Sequence, residues 1–229
     1  RMPSVATGAL LANRTLLAIG VSGDGDTANI GMGQFKHICR RNVPLVYVVE
    51  NNGCYGLTKG QDSATADVGS KSKKGTANPY EPIDLVSVAI QLGATFVARS
   101  FSGDRQQLVP LIKAALSHKG FAFLDVISPC VTFNNHEGST KSYAFTRDHL
   151  DPTPVDFVPM REEIRTSYAA GATQEVCLHD GSVIRLFKQS NEYDVEDPQA
   201  ALGAIARHNS EGRVLTGLLP PSTLRVRLE

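Results

Sequence analysis

Residues 15–53 read TLLAIGVSGDGDTANIGMGQFKHICRRNVPLVYVVENNG, and the fold is decided there. Thr15 to Val21 is a short apolar run that halts at Ser22-Gly23-Asp24-Gly25-Asp26, which predicts a strand buried on both faces, as in a parallel sheet. Ile30, Phe35, Ile38 and Cys39 then recur at helical spacing among Lys36, Arg40 and Arg41. Pro44 disfavours helical geometry at Val43, so the helix should end near Asn42. Leu45 to Val49 is a second buried strand, closed by Asn51-Asn52-Gly53. The three pieces make one βαβ unit.

Upstream, Arg1 to Leu11 carries small residues at Ala6, Gly8 and Ala9, with Ala12 following, a pattern expected of a helix packed closely on a sheet. Domains rarely begin at such a helix, so further residues ahead of Arg1 are expected. Downstream, residues 53–80 show little periodicity and predict a long ordered loop, a feature that is usually functional or disordered. Pro82 to Leu92 returns to helical pattern, with Pro82 in the first turn and Gly93 at the C-terminal cap. Ala94 to Ala98 reads as a third strand. Leu108 to Ser117 reads as a helix whose first turn would hold Pro110. Phe121 to Ile127 reads as a fourth strand, bounded by Pro129. This alternation predicts an α/β domain with a parallel sheet over residues 1–150.

Past residue 150 the character changes. Pro152, Pro154 and Pro159 suggest an extended connection, and Arg161 to Ala170 a helix ended by Gly171. Gln174 to Leu178 and Val183 to Phe187 flank Asp180-Gly181, a hairpin signal. A helix from Asp197-Pro198 through Arg207 and a short strand at Val214 to Leu219 complete residues 151–229. We read these as a C-terminal extension of helix, hairpin and helix, packing on the domain or on a partner, rather than as a second domain.

Composition removes several classes of function. Lys plus Arg number 23 and Asp plus Glu number 23, so the net charge of zero provides no field for nucleic acid or an anionic membrane. Apolar runs are strand-sized, far below the roughly 20 residues of a membrane helix. No charged-then-apolar leader opens the chain, which predicts a cytoplasmic location. Cys39, Cys54, Cys130 and Cys177 form no CxxC pair, so neither a disulfide scaffold nor a self-contained zinc or iron–sulfur site is expected. Cys39 and Cys177 read as packing residues, and His37 as an ordinary helix residue. His136, near Cys130, lies at the edge of any site there. Lys71, Lys73 and Lys74 form a short basic run, read as a solvated loop or a partner contact.

In open α/β sheets ligands bind beyond the carboxyl ends of the strands. Gly23-Asp24-Gly25-Asp26 and Asn51-Asn52-Gly53 both fall at such ends. Asp24 and Asn52 each offer a hard oxygen, and a small cation such as Mg²⁺ takes about six oxygens and seldom all of them from protein. A helix starting near Ala28 would turn its free N–H groups to the same place, favouring an anion. Alone, either loop reads equally well as a tight acidic turn or a common loop. Together, 28 positions apart from Asp24 to Asn52 and each after a buried strand, they predict a metal–diphosphate site.

GDG followed by NN in this way resembles the signature of thiamine diphosphate enzymes. The longer string from Asn51 to Gln61, NNGCYGLTKGQ, resembles one branch, the β subunits of 2-oxoacid:ferredoxin oxidoreductases. Arg40-Arg41-Asn42-Val43 and ISPCVTFNN from Ile127 to Asn135 extend the resemblance, which covers residues 1–150 strongly and the tail more loosely. It implies a Rossmann-like three-layer fold that binds thiamine diphosphate. It also implies that Asp24, the Asn52 side chain and the backbone carbonyl of Cys54 hold Mg²⁺. Gly23, Gly25 and Asp26 would then line the diphosphate on one side, with Tyr55, Gly56, Leu57 and Thr58 on the other. Cys130 resembles the last ligand of a [4Fe–4S] cluster whose other ligands lie outside this sequence. Lys59, an ammonium beside the cofactor, favours a dicarboxylic substrate, 2-oxoglutarate, over pyruvate.

The activity implied is reversible oxidative decarboxylation of a 2-oxo acid, with electrons passing to ferredoxin and the acyl group to coenzyme A. Glu50, next to the NN pair, is poorly placed to activate the cofactor. No catalytic residue is therefore assigned in this chain, and the activating glutamate is expected from an α subunit that completes the site in an αβ or α2β2 assembly. Three other readings stay open at this point: a pyruvate or broad 2-oxoacid version of the same β subunit, a thiamine diphosphate decarboxylase without redox chemistry, and a plain metal- or nucleotide-binding α/β module.

Overall fold

A computed structural model describes residues 1–71, 75–152, 169, 172–177, 183–187, 197–212 and 214–218. The expected helix at 161–170 lies outside these apart from Ala169, as do Lys73, Lys74 and the Asp180-Gly181 turn. At the centre is a six-stranded sheet. Its parallel part is β1 (Ala18–Gly23), β2 (Leu45–Asn51), β6 (Ala122–Ile127) and β5 (Phe96–Phe101), in that spatial order. β10 (Val214–Leu218) pairs antiparallel with β5, and β7 (Leu150–Pro152) pairs parallel with β10 at the edge. The chain is therefore α/β, with helices on both faces of a mostly parallel sheet.

One face carries the larger core. Phe35 and Cys39 of α2 (Met32–Arg41) meet Tyr47, Phe121 and Phe123, with the Phe35 and Phe123 rings edge to face at 4.9 Å. Leu85, Val86 and Ala89 of α3 (Leu85–Gln91) join them, as do Ala201, Ala204 and Ile205 of α6 (Pro198–Ser210). The opposite face is covered by α4 (Arg105–Ser117), whose Leu111 and Ala115 pack on Val46, Leu124 and Ala98. A short helix, α5 (Tyr143–His149), is capped by the Ser142 side chain and leads directly into β7. Among the described residues, the tail beyond residue 150 thus contributes α6 to the core and β10, with most of β7, to the sheet.

Several expectations are corrected. β1 is not buried on both faces: it forms the edge of the sheet, with Ile19 and Val21 56% and 58% exposed. Those two residues share a face with Val46 and Val48, but α4 lies over β5 and β6 instead. The helix α1 (Met2–Ala12) packs through Pro3, Thr7 and Leu10, one stripe at helical spacing, while Gly8 and Ala9 face outward. Helical geometry after β1 starts at Asp24, not near Ala28, and runs through a π-helical turn at Asp26–Ile30 before α2. Asn42 caps α2 in the left-handed conformation, φ 49°, at the position Pro44 predicts for its end.

The 53–80 loop contains a short ladder, β3 (Cys54–Tyr55) against β4 (Gln61–Asp62). Pro82 precedes α3 rather than occupying its first turn, because the Asp84 side chain caps Val86 N–H at 3.1 Å. Asp104 starts α4 three residues earlier than expected by capping Gln107 N–H, so Pro110 sits inside the helix. The hairpin strands β8 (Thr173–Cys177) and β9 (Val183–Phe187) pair as foreseen. Cys39 is buried, but Cys177 is exposed rather than packed. His37 and His136 are exposed. No described helix is long and apolar enough to cross a membrane.

Candidate functional site

The carboxyl ends of β1 and β2 lie side by side, with Gly23 opposite Glu50 in the ladder. Just past these ends, Asp24 and Asn52 meet: Asp24 Oδ1 accepts from the Asn52 backbone N–H at 3.4 Å. Asp24 is 1% exposed, and its other oxygen, Oδ2, accepts the Ser63 and Thr65 hydroxyls. A buried carboxylate needs such donors, since its desolvation is otherwise uncompensated. The Asn52 side-chain oxygen accepts the Cys54 N–H at 3.0 Å, and its backbone carbonyl accepts Asn134 Nδ2 at 2.8 Å. Gly53 turns the chain at φ +72°, and a Cβ there would lie 2.7 Å from Asn134 Nδ2, so only glycine fits.

The glycines of the first loop have different surroundings. Gly23 is open, with nothing within 4 Å of the position a Cβ would take, and so is Gly56 in the second loop. Gly25 is covered: the Tyr55 ring lies 2.6 Å from where its Cβ would be. Tyr55 O–H donates to the Gly25 carbonyl at 2.9 Å and accepts from Asn29 Nδ2 at 2.8 Å, clamping the two loops together. Asp26 turns back along β1, where its carboxylate accepts the Ser22 hydroxyl. Asp24, Asn52, Cys54 and Tyr55 are thus brought together, and Asp26 is directed elsewhere.

Beyond Tyr55 the chain forms an exposed turn. Leu57 is fully exposed, Thr58 Oγ1 donates to Gln61 Oε1, and Lys59 N–H closes the turn on the Gly56 carbonyl at 3.1 Å. Lys59 holds φ 80°, a left-handed conformation that costs an L-residue of this kind roughly 1–2 kcal/mol. Glu50 is exposed on the sheet face opposite Asn51, away from this cleft.

The donor set suits a hard cation that shares its shell with a polyanion. Asp24 is the buried carboxylate where the two loops meet, with Asp62 opposite Cys54 in the β3–β4 ladder, and among the described residues no three His, Cys, Asp or Glu side chains gather around a metal position. Burial, the adjoining Cys130 thiol and the Asp24 carboxylate push the Cys54 thiol up to about 12. It therefore stays protonated at neutral pH, and what Cys54 can offer a hard cation is its carbonyl oxygen. Cys130 is half-buried beside Cys54.

Sequence reasoning missed the residues behind Asp24. Thr65 Oγ1 also lies 2.9 Å from Asn51 Oδ1, and Asn51 Nδ2 donates to Asp125 Oδ1 at 3.0 Å. Arg99 Nε donates to Asp125 Oδ2 at 2.8 Å, and its Nη2 pairs with Asp84. The signal was partly present: an Asp inside FAFLDVI, a run read as a strand, and an Arg one residue past the expected strand end at Ala98, in a strand that runs instead from Phe96 to Phe101.

Residues 1–126 match the family model described as "Thiamine pyrophosphate enzyme, C-terminal TPP binding domain". The "2-oxoacid:ferredoxin oxidoreductase 1, subunit beta" of Aeropyrum pernix is 34% identical over 224 residues, covering 89% of this chain and 69% of that one. The chain belongs to this β-subunit family. The 2-oxoacid:ferredoxin oxidoreductase β subunit of Saccharolobus solfataricus is 39% identical over 194 residues, 83% of this chain and 63% of the relative. Among solved structures, a 2-oxoglutarate:ferredoxin oxidoreductase from Magnetococcus marinus, with 2-oxoglutarate, coenzyme A and succinyl-CoA bound, aligns with a TM-score of 0.74 at 30% identity. That alignment covers 98% of this chain and 63% of the other. The chain spans between half and two thirds of the length of the first curated β-subunit relatives it matches.

Proposed function

We propose that this chain is the β subunit of a 2-oxoglutarate:ferredoxin oxidoreductase and holds the diphosphate end of thiamine diphosphate through Mg²⁺. The observation that carries the proposal is the meeting of Asp24 Oδ1 with Asn52 at the ends of adjacent strands. Asp24, the Asn52 amide oxygen and the Cys54 carbonyl would be the protein ligands, leaving other positions to phosphate oxygens and water. With one carboxylate among them, these ligands alone bind a divalent ion weakly, so metal and diphosphate should bind together. Gly23 and Gly56, both open, would let phosphate oxygens approach the backbone. Gly25, Tyr55, Leu57 and Thr58 would enclose the cofactor, with Gly25 acting through the Tyr55 ring it admits. Asp26 would serve the loop by bonding Ser22, since a second carboxylate facing the diphosphate would repel it.

When bound, thiamine diphosphate supplies the carbanion that attacks the 2-oxo carbon and the electron sink for loss of carbon dioxide. This chain's part is to orient and hold charge. Lys59, in the exposed turn beside the site, would pair with the distal carboxylate of 2-oxoglutarate. The activating glutamate would come from an α subunit, with coenzyme A and ferredoxin as acyl and electron acceptors, in the cytoplasm. Residues 1–150 would form the cofactor-binding unit and 151–229 its extension. Cys130 would give one thiolate to a [4Fe–4S] cluster. The described residues supply no ligand set for one, so the cluster does not fit them by themselves.

Calorimetry on the assembled protein tests the reading: thiamine diphosphate should bind in a Mg²⁺-dependent manner. Binding indifferent to the metal, or unchanged in Asp24→Ala, would refute it. Turnover of 2-oxoglutarate against pyruvate with a viologen acceptor tests the substrate, and a preference for pyruvate would overturn that part alone.

A further inference from the structure

Behind Asp24 runs an unbroken line of buried polar groups. Arg99 on β5 and Asp125 on β6 stand opposite each other in the ladder, and Asn51 ends β2 on the same face of the sheet. Asp125 is fully buried, and Asp24, Asn51, Thr65 and Arg99 are each less than a tenth exposed. The order of donors along the line is determined at its far end. Both Arg99 contacts are donations, so Asp125 can only accept, and it takes the Asn51 NH₂ group. That commits the Asn51 amide to one orientation, with Oδ1 facing Thr65. The Thr65 hydroxyl has a single proton for two acceptors within reach, Asn51 Oδ1 and Asp24 Oδ2, so it links them as a shared, three-centre donor. Ser63 supplies a second donor to the same Asp24 oxygen. Oδ2 is therefore tied inward, and Oδ1 is left on the side of the Asn52 loop.

A buried ion pair is a weak device for stability, because apolar residues of the same volume often do as well. Orientation is a better account of this one. We propose that Arg99, Asp125, Asn51 and Thr65 are positioning residues that hold the Asp24 carboxylate with Oδ1 presented to the cation, so that the metal meets a ligand already oriented. The two adjacent asparagines then divide the work: Asn52 faces the cation, and Asn51 faces the interior and keeps Asp24 in place. The inference rests on the metal–diphosphate reading above.

The test measures Mn²⁺ affinity by electron paramagnetic resonance, in the presence of thiamine diphosphate, on the full assembled protein. Variants are Thr65→Val, which keeps the shape and removes the hydroxyl, Thr65→Ser, which restores it, and Asp125→Asn. Thr65→Val should weaken Mn²⁺ binding roughly tenfold, within the 10–100-fold range for outer-shell groups, and Thr65→Ser should bring it back to within about twofold. Asp125→Asn should act in the same direction, and the double variant should lose less than the product of the single losses, since both act on one line. Should Thr65→Val lower the melting temperature of the metal-free protein yet bind Mn²⁺ like wild type, the line is structural and the proposal fails. Should Asp24→Ala abolish binding while Thr65→Val and Asp125→Asn leave it intact, positioning is refuted and the metal site stands. If wild type binds no Mn²⁺ with the cofactor, the site reading falls, and this inference with it.

Discussion

On the inner wall of the cleft, Asp24 is 1% exposed and its carboxylate meets two hydroxyls and a backbone N–H. On the outer wall, Leu57 is fully exposed and Lys59 keeps a left-handed backbone without a glycine. The inner wall satisfies its polar groups from within the chain, which makes it rigid before anything binds. The outer wall leaves an apolar side chain and an ammonium facing outward, and strains the backbone to do so. Such strain persists only where the surroundings enforce it, and it collects at functional sites. Under the proposed function, the cation end of the cofactor would meet a prepared surface, while substrate and partner contacts would be completed by molecules outside this chain.

The contrast can be broken at four points. The largest effect on cofactor binding is expected at its centre: Asp24→Ala should weaken Mg²⁺-dependent binding of thiamine diphosphate by roughly 100-fold or more, read by calorimetry. If the variant binds as wild type does, the inner wall is not the metal wall.

Next comes the ion pair behind it. Arg99→Met leaves the fully buried Asp125 and the half-buried Asp84 without their cation and should cost about 3–5 kcal/mol in denaturant unfolding at pH 7. Burial alone would raise the Asp84 carboxyl, but Arg99, Ser87 and the Val86 N–H hold it below its usual value. A depressed carboxyl stabilises the fold fully above its unfolded pKa of about 4, and that contribution is lost as pH falls through the lower folded value. In the variant only the raising influence of burial and the weaker hydrogen bonds remain. The gap between wild type and variant should therefore narrow below about pH 4, and a gap independent of pH would contradict this.

A smaller effect is expected where the walls touch. Gly25→Ala places a methyl group against the Tyr55 ring and should cost about 1–3 kcal/mol. Tyr55→Ala removes the obstacle, so the double variant should lose less than the sum of the single losses. Additive losses would mean that the ring and the glycine are not coupled.

The smallest change in stability belongs to the outer turn. Lys59→Gly relieves the left-handed strain at some cost in unfolded-chain entropy, for a net change of about 0–1 kcal/mol toward greater stability. The same variant should lose roughly tenfold or more of its preference for 2-oxoglutarate over pyruvate, the value of one charged hydrogen bond. Unchanged selectivity would leave Lys59 a solvated turn residue.

Most of this architecture was legible in the sequence, because its signals are local. Val46 to Val49 lies in a strand since an apolar run of that length has few other solutions, and Asn42 ends α2 because Pro44 follows it closely. Exposure was harder to read. Ile19 and Val21 look like core residues in the sequence, yet they sit on an edge strand away from α4, and a residue's burial depends on what lies across from it. The caps at Asp84 and Asp104 were likewise overlooked, and each moved a helix start by three residues.

By itself the sequence determined that two loops, GDGD and NNG, follow two strands, and which of their residues could offer hard oxygens. Only the tertiary structure decided that Tyr55 fills the space over Gly25, that Asp26 turns away, and that Arg99 and Asp125 support Asp24 through Asn51 and Thr65. The reason is register. Asn51, Arg99 and Asp125 come from distant parts of the chain and become neighbours only when β2, β6 and β5 line up side by side, and no periodicity within any one segment records that alignment.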